Sequence, residues 1–283
     1  MFERYVILME IIEYIGNNCE DKKEISQINR IKDILISWAK NANLDKIWIF
    51  TNVNYYHKGL GLKWNHIEWN GEIDLLLISK NHFIIFELKN KKGVIKGQTQ
   101  NGYWKIKYYD SNNYVEEKNY FIQCSRIKAF FSLNYYPKKV LPKIRLDYKL
   151  RPDILLIFLN GSDTSDIFFT PPTKFYTDEY YGIINMISNE DRKFMEENFH
   201  YEKKRDIINI NFNEERIDLK NLKRILDSCN YEDRISKWFH VLTEEKVIDL
   251  LPNLGSDSFI FNKEIIEIFV EDFKLKLSNE YVV

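Results

Sequence analysis

The stretch that most constrains this chain runs from Gly71 to Asn90. It holds two apolar segments, Ile73–Ser79 and His82–Leu88, around Lys80-Asn81. Lys80-Asn81 reads as a two-residue hairpin turn, with Asn81 supplying the positive φ that such turns use. Facing residues then have numbers adding to 161, so Asp74 lies opposite Glu87 and Glu72 opposite Lys89. Strand side chains alternate between faces. Glu72, Asp74, Glu87 and Lys89 are therefore expected on one face with Leu76, Ile78, Phe83 and Ile85. Ile73, Leu75, Leu77, Ile84, Phe86 and Leu88 take the other. Strands apolar on both faces belong at the centre of a sheet that is covered on both sides. The expected class is α/β.

One end of this hairpin gathers three carboxylates and an amine. Opposed like charges destabilise a sheet, with facing Cβ atoms about 4.5–5.5 Å apart. A divalent cation would relieve that repulsion, and hard oxygen ligands suit Mg²⁺ or Mn²⁺. Such an ion acidifies bound water and stabilises charge on a transferring phosphate, with Lys89 aimed at the same volume. The competing reading is structural: the charges cap strand ends and Lys89 pairs with Glu72.

The neighbouring patterns fit a sheet with flanking helices. Ile25, Ile28, Ile31, Leu35 and Trp38 recur at helical spacing between Lys23 and Asn41. Strands are expected over Lys46–Val53, Tyr103–Tyr109, Tyr114–Glu117 and Asp153–Leu159, and a helix over Tyr120–Leu133 with Asn119 as its cap. Residues 1–22 read as an amphipathic helix, broken by Glu3, Arg4, Glu10 and Glu13 and lacking the features of a signal peptide. No apolar run approaches the length of a membrane span, so a cytoplasmic protein without membrane contact is expected. Three cysteines without ligand spacing predict neither a disulfide framework nor a zinc site.

The formal net charge of −1 hides a strong asymmetry. Between Leu88 and Arg151 there are fifteen lysines and arginines against four acids, which points to an anionic partner. Lys138, Lys139, Lys143 and Arg145, around Pro137 and Pro142, are the candidate phosphate contacts.

A polar stretch, Glu202–Arg205, marks a candidate boundary. Beyond it, helices are expected over Leu219–Cys229, Tyr231–Leu242 and Glu264–Leu277, with strands over Val247–Leu251 and Ser258–Phe261. That order resembles a winged helix. Glu214–Val283 carries fifteen acids and ten bases, which favours a homodimer or protein partner over DNA for this module.

Gly71-Glu72-Ile73-Asp74, the apolar strand, then Phe86-Glu87-Leu88-Lys89-Asn90 and Gly93 resemble the core of a NERD domain, a family of the PD-(D/E)XK, restriction-endonuclease-like nucleases. Trp104 falls where that family tends to have a Trp, and Asn119-Tyr-Phe-Ile-Gln123 is similar to its Asn-Pro-x-x-Gln, with Tyr120 in place of the Pro. The resemblance spans about Lys23 to Phe169. It implies a restriction-endonuclease-like mixed β-sheet flanked by helices over 23–201, followed by a small, mainly helical, winged-helix-like module over 206–283. It also implies Asp74 and Glu87 as metal ligands, the Leu88 carbonyl as a third, Glu24 of the first helix as a further acid, Lys89 as the catalytic lysine, and Gln123 beside the site. The expected activity is Mg²⁺- or Mn²⁺-dependent phosphodiester hydrolysis, with DNA the favoured substrate. The alternative is a non-catalytic nucleic-acid-binding or regulatory protein that keeps the fold.

Overall fold

The computed structural model describes residues 9–16, 22–58, 68–98, 103–131, 135, 140, 152–168, 174–176, 188–198, 200–204, 207–211, 238–255, 261 and 263–283. The first half holds β1 (Glu10–Ile15), α1 (Lys22–Asn41), β2 (Lys46–Lys58), β3 (Glu68–Ser79), β4 (Phe83–Lys89), β5 (Gly93–Gln98), β6 (Trp104–Tyr108), β7 (Tyr114–Glu117) and α2 (Tyr120–Ala129). The second holds β8 (Asp153–Phe158), β9 (Asp163–Phe168), β10 (Lys174–Tyr176), α3 (Asn189–Asn198), β11 (His200–Lys204) and β12 (Ile207–Asn211). It closes with β13 (Phe239–Thr243), α4 (Val247–Leu250), α5 (Lys263–Asp272) and β14 (Lys276–Val282).

A seven-stranded sheet of order β13-β8-β4-β3-β2-β1-β14 forms the centre. It is mixed: β4 runs antiparallel to β3 and parallel to β8, and β1 runs parallel to β2. The apolar stripe of α1, Ile28, Ile31, Leu35 and Trp38, packs on one face with Leu75, Leu77, Ile84 and Phe86. On the other face α2 and α5 pack through Tyr120, Cys124, Ile127, Ile265 and Phe269 against Leu76, Ile78, Phe83 and Ile85. A four-stranded sheet of order β7-β6-β5-β9 joins that second face through Ile95, Trp104 and Ile106. A third, of order β10-β12-β11, is hydrogen-bonded to neither. This is a mixed α/β architecture with helices on both faces of a large sheet, consistent with a restriction-endonuclease-like fold.

The hairpin has the expected register: Leu75 pairs with Phe86, Leu76 with Ile85, Leu77 with Ile84 and Ile78 with Phe83. Its turn differs from expectation, because neither Lys80 nor Asn81 adopts a positive φ. It is closed by the Ser79 N–H donating to the His82 carbonyl at 3.1 Å, and held from outside by the Phe261 N–H on the Lys80 carbonyl at 2.9 Å. The α2 cap is as expected, with Asn119 Oδ1 accepting from the Ile122 N–H at 3.3 Å.

Three expectations are corrected. Within residues 1–22, Glu10–Ile15 form a strand, because they lie between β2 and β14 and bury Ile11 on one sheet face and Ile12 on the other. The helix expected to end at Leu242 gives way to β13, which extends the central sheet beside β8, while the expected strand at 247–251 is helical. Residues 276–282 form β14 against β1, so the described C-terminal residues complete the central sheet and do not form a winged helix apart from it. The Leu219–Cys229 helix lies outside the described residues, as does all of Ser258–Phe261 except Phe261.

Candidate active site

The chemistry-bearing end of the hairpin is where β3 leaves β4. The ladder stops at Leu75–Phe86. Beyond it, the Leu88 N–H donates to Asp74 Oδ2 at 2.6 Å, so a carboxylate takes the place of a backbone acceptor. On the other side of β3, the β2 pairing omits Asn52 and Asp74 between Thr51–Leu75 and Val53–Ile73. Asn52 is buried with φ +53°, a left-handed conformation that Asn tolerates better than most residues. Ile73 and Leu76 then fall in the same core cluster, so the faces of β3 exchange across Asp74. Glu72 is exposed as a result, and Lys89 pairs with Glu87 and not with Glu72.

Glu87 is the most enclosed member, with 1% of its surface exposed. Its Oε1 accepts from the Lys89 ammonium and from Gln123 Nε2, the latter at 2.5 Å from α2. Its Oε2 is buried without a hydrogen-bond partner. Burial raises the Glu87 pKa against the opposing pull of Lys89 and Gln123. Burial and the neighbouring Glu87 push Asp74 up to about 8, with Lys89 and the Leu88 N–H offsetting part of the rise and Glu24 adding to it. Burial pulls the Lys89 ammonium down, but the Glu87 and Asp74 carboxylates outweigh it and its pKa is raised. A charged amine is thus locked among carboxylates that resist ionisation.

Glu24 sits in the first turn of α1, and its charge raises Asp74 and, with burial, Glu72. Asp74, Glu87, Lys89 and Gln123 therefore converge, with Glu24 on their border. Lys138, Lys139, Lys143 and Arg145 lie outside the described residues.

The structure also brings in residues that spacing alone does not single out. The Tyr55 ring, buried beside Phe130 at 5.0 Å, lies close over Gly71: a Cβ there would stand 2.6 Å from the Tyr55 hydroxyl. That contact accounts for the glycine opening the Gly-Glu-Ile-Asp run. Cys124 lies buried beneath the site, its thiol pKa raised by burial and then by Glu87. Lys89 Nζ stands 5.3 Å from the centre of the Tyr120 ring.

A cavity of about 680 Å³ lies at the other end of the hairpin, lined by Trp38, Leu44, Asn81, His82, Pro252 and Leu254 among others, and His82 is its one titratable lining residue. The charges mark the open end.

This architecture is mixed α/β, with its buried carboxylates, lysine and glutamine gathered at one end of the central hairpin. Residues 33–150 match the family model of NERD, the nuclease-related domain. The match contains Asp74, Glu87, Lys89 and Gln123 and begins after Glu24. No curated protein and no solved structure matches the chain. No helix among the described residues is long and apolar enough to cross a membrane.

Proposed function

We propose that the protein is a metal-dependent nuclease that hydrolyses phosphodiester bonds, with DNA the favoured substrate. The observation that carries this reading is Glu87 Oε2, buried beside the Asp74 carboxyl with no partner. A buried charge is costly unless it is paired or coordinates a metal. Among the described residues no three His, Cys, Asp or Glu side chains form a group that could hold a metal. That donor set fits Mg²⁺ or Mn²⁺, because magnesium sites commonly use one or two carboxylates and keep several waters. Asp74 and Glu87 would hold the ion, with the Leu88 carbonyl as a further oxygen donor and Glu24 outside the ligand set, acting on Asp74 through its charge. When bound, such an ion supplies charge neutralisation and an acidified water.

The chain's own groups have separate tasks in this reading. Gln123 and Lys89 both occupy Glu87 Oε1, which leaves Oε2 as the open lobe. Lys89 places a positive charge where a phosphate would gain negative charge in the transition state. Lys138, Lys139, Lys143 and Arg145 would meet the phosphates of the flanking strand.

The test is a cleavage panel of linear, circular and single-stranded DNA and RNA, with Mg²⁺, Mn²⁺ or EDTA, for the wild-type chain and Glu87→Ala. Cleavage of at least one substrate by wild type, lost in EDTA and in Glu87→Ala, is expected. Equal cleavage by the variant, or none by wild type on any substrate, overturns the reading.

A further inference from the structure

Lys89 has two neighbours of different kinds. One is Glu87, the carboxylate that the proposed function assigns to a cation. The other is the ring of Tyr120, whose centre lies 5.3 Å from Lys89 Nζ. That ring is held by two aromatic neighbours and at its hydroxyl. Trp104 meets it edge-on at 5.3 Å and Phe158 at 5.9 Å. Its hydroxyl donates to Glu117 Oε2 at 3.3 Å, and Glu117 Oε1 is paired with Lys91 at 2.5 Å. Tyr120 is the first residue of α2 after the Asn119 cap, the position at which the resembled Asn-Pro-x-x-Gln pattern has its proline.

We propose that Tyr120 is a positioning residue for Lys89: its ring face holds the ammonium in the site by a cation–π contact, and the Glu117–Lys91 pair holds the ring. The physical need follows from the competition for Glu87. Any cation drawn to Glu87 weakens the carboxylate's hold on Lys89, which is a long, flexible side chain with large rotamer entropy. An aromatic face attracts the ammonium without offering the cation a carboxylate. This inference rests on the reading of Lys89 as the group that stabilises the reacting phosphate.

Two measurements test it on the full chain. In metal-free protein, the ring current of Tyr120 should shift the Lys89 εCH₂ proton resonances upfield. Tyr120→Phe keeps the ring and should keep the shift. Tyr120→Leu, and Tyr120→Pro at a first-turn position where proline is well tolerated, should return the resonances to the positions of exposed lysines. In single-turnover cleavage, the Leu and Pro variants should lose about 2- to 30-fold in rate, the range set by a cation–π contact of roughly 0.5–2 kcal/mol. Tyr120→Phe should stay within about 2-fold of wild type, the effect of losing a single weak anchor. DNA affinity should not change in any of them. Unshifted Lys89 resonances in wild type, or a Phe variant as impaired as the Leu variant in both measurements, overturn the inference. If wild type cleaves nothing, the proposed function fails, and the resonance shifts alone still decide whether Tyr120 positions Lys89.

Discussion

The two ends of one hairpin, β3–β4, are built on opposite principles. At the turn end, His82 is buried and neutral in tendency: burial lowers its pKa, Ser79 Oγ lies 2.7 Å from its Nδ1, and the ring bonds the Leu254 main chain. Trp38 meets that ring edge-on at 5.1 Å, and Gly255 lies so close that a Cβ would stand 2.8 Å from His82 Cδ2. At the open end the ladder stops three residues before the end of β4, and buried carboxylates are left crowded with one oxygen unpartnered. The same strands and register thus carry one end closed by neutral hydrogen bonds and one end where charge is held at a cost. That difference separates what fixes the fold from what is available for chemistry, and substitutions at the two ends should divide accordingly.

The largest effect is expected from Asp74→Ala or Glu87→Ala. Either should reduce cleavage by at least about 10³-fold, as loss of a group central to transition-state stabilisation does. Thermal stability without metal should change by no more than about 1–3 kcal/mol, because relief of the carboxylate crowding is set against the lost acceptor of the Leu88 N–H in one variant and the lost partner of Lys89 in the other. Single-turnover rates and melting curves in EDTA check both halves. A variant that melts far below wild type would place its carboxylate with the fold and not with the chemistry. Lys89→Ala comes next, with a loss of roughly 10²–10³ in rate, about 3–4 kcal/mol, while Mn²⁺ binding persists. Loss of Mn²⁺ binding as complete as in Asp74→Ala would remove the distinction between the lysine and the ligands.

Stability effects are smaller and should be larger at the turn end. Gly255 has φ +104°, and Gly255→Ala should cost about 1–3 kcal/mol from the backbone alone, with the contact to His82 adding to it. A lowered urea midpoint with unchanged slope is expected, and the folded fraction should still cleave. The open end should show the reverse through pH. The folded-state pKa of Asp74 is pushed up to about 8 from 3.8, so across that window the folded chain holds more protons than the unfolded chain. Metal-free wild type should then lose stability as pH rises from about 4 to 8, on the order of a few kcal/mol. Asp74→Asn keeps an acceptor for the Leu88 N–H and should flatten that slope; an equal slope in the variant would move the titration to another group.

The parts of the molecule legible in the sequence are those set by local pattern. Alternating apolar residues gave the hairpin register and the Asp74–Glu87 proximity, and the stripe Ile28, Ile31, Leu35, Trp38 gave α1. The Asn119 cap followed from one side chain and its neighbour three residues on. What stayed hidden depends on distant partners. Ile11 and Ile12 are apolar enough for a helix, and the edges of β2 and β14 on either side make them a strand. β13 and β14 are likewise decided by the β8 and β1 edges that receive them. At the site, the exchange of faces at Asp74 depends on the left-handed conformation of Asn52, twenty-two residues earlier, which period-two alternation cannot register. That single residue explains why Glu72 leaves the face on which alternation places it.

The smallest expected effect belongs to His82, and its sign opposes that of Asp74. The folded-state pKa of His82 is lowered by burial, with the Leu254 bond only partly compensating. Between that value and the ordinary histidine range, the unfolded chain binds more protons than the folded one. The stabilising contribution is therefore present above about pH 6.5 and is lost as pH falls. His240 is half-buried, its pKa is also lowered by desolvation and it adds the same sign, so the measurement must be a difference between variants. The useful background is Asp74→Asn, which removes one part of the opposing slope, while Glu72, Glu87 and Asp153 keep theirs in both members of the pair. In that background, His82→Asn should reduce the loss of stability between pH 7.5 and 5.5 and leave the remainder to His240. Ser79→Ala, which removes the hydroxyl beside Nδ1, should cost about 0.5–1.5 kcal/mol at pH 7.5. Neither change should alter the rate of cleavage per folded molecule, since the hairpin lies between His82 and the carboxylates. A pH slope untouched by His82→Asn would assign the acid sensitivity to His240 and the β13 edge. A cleavage rate that fell with Ser79→Ala would show that the two ends communicate through the strands and are not independent.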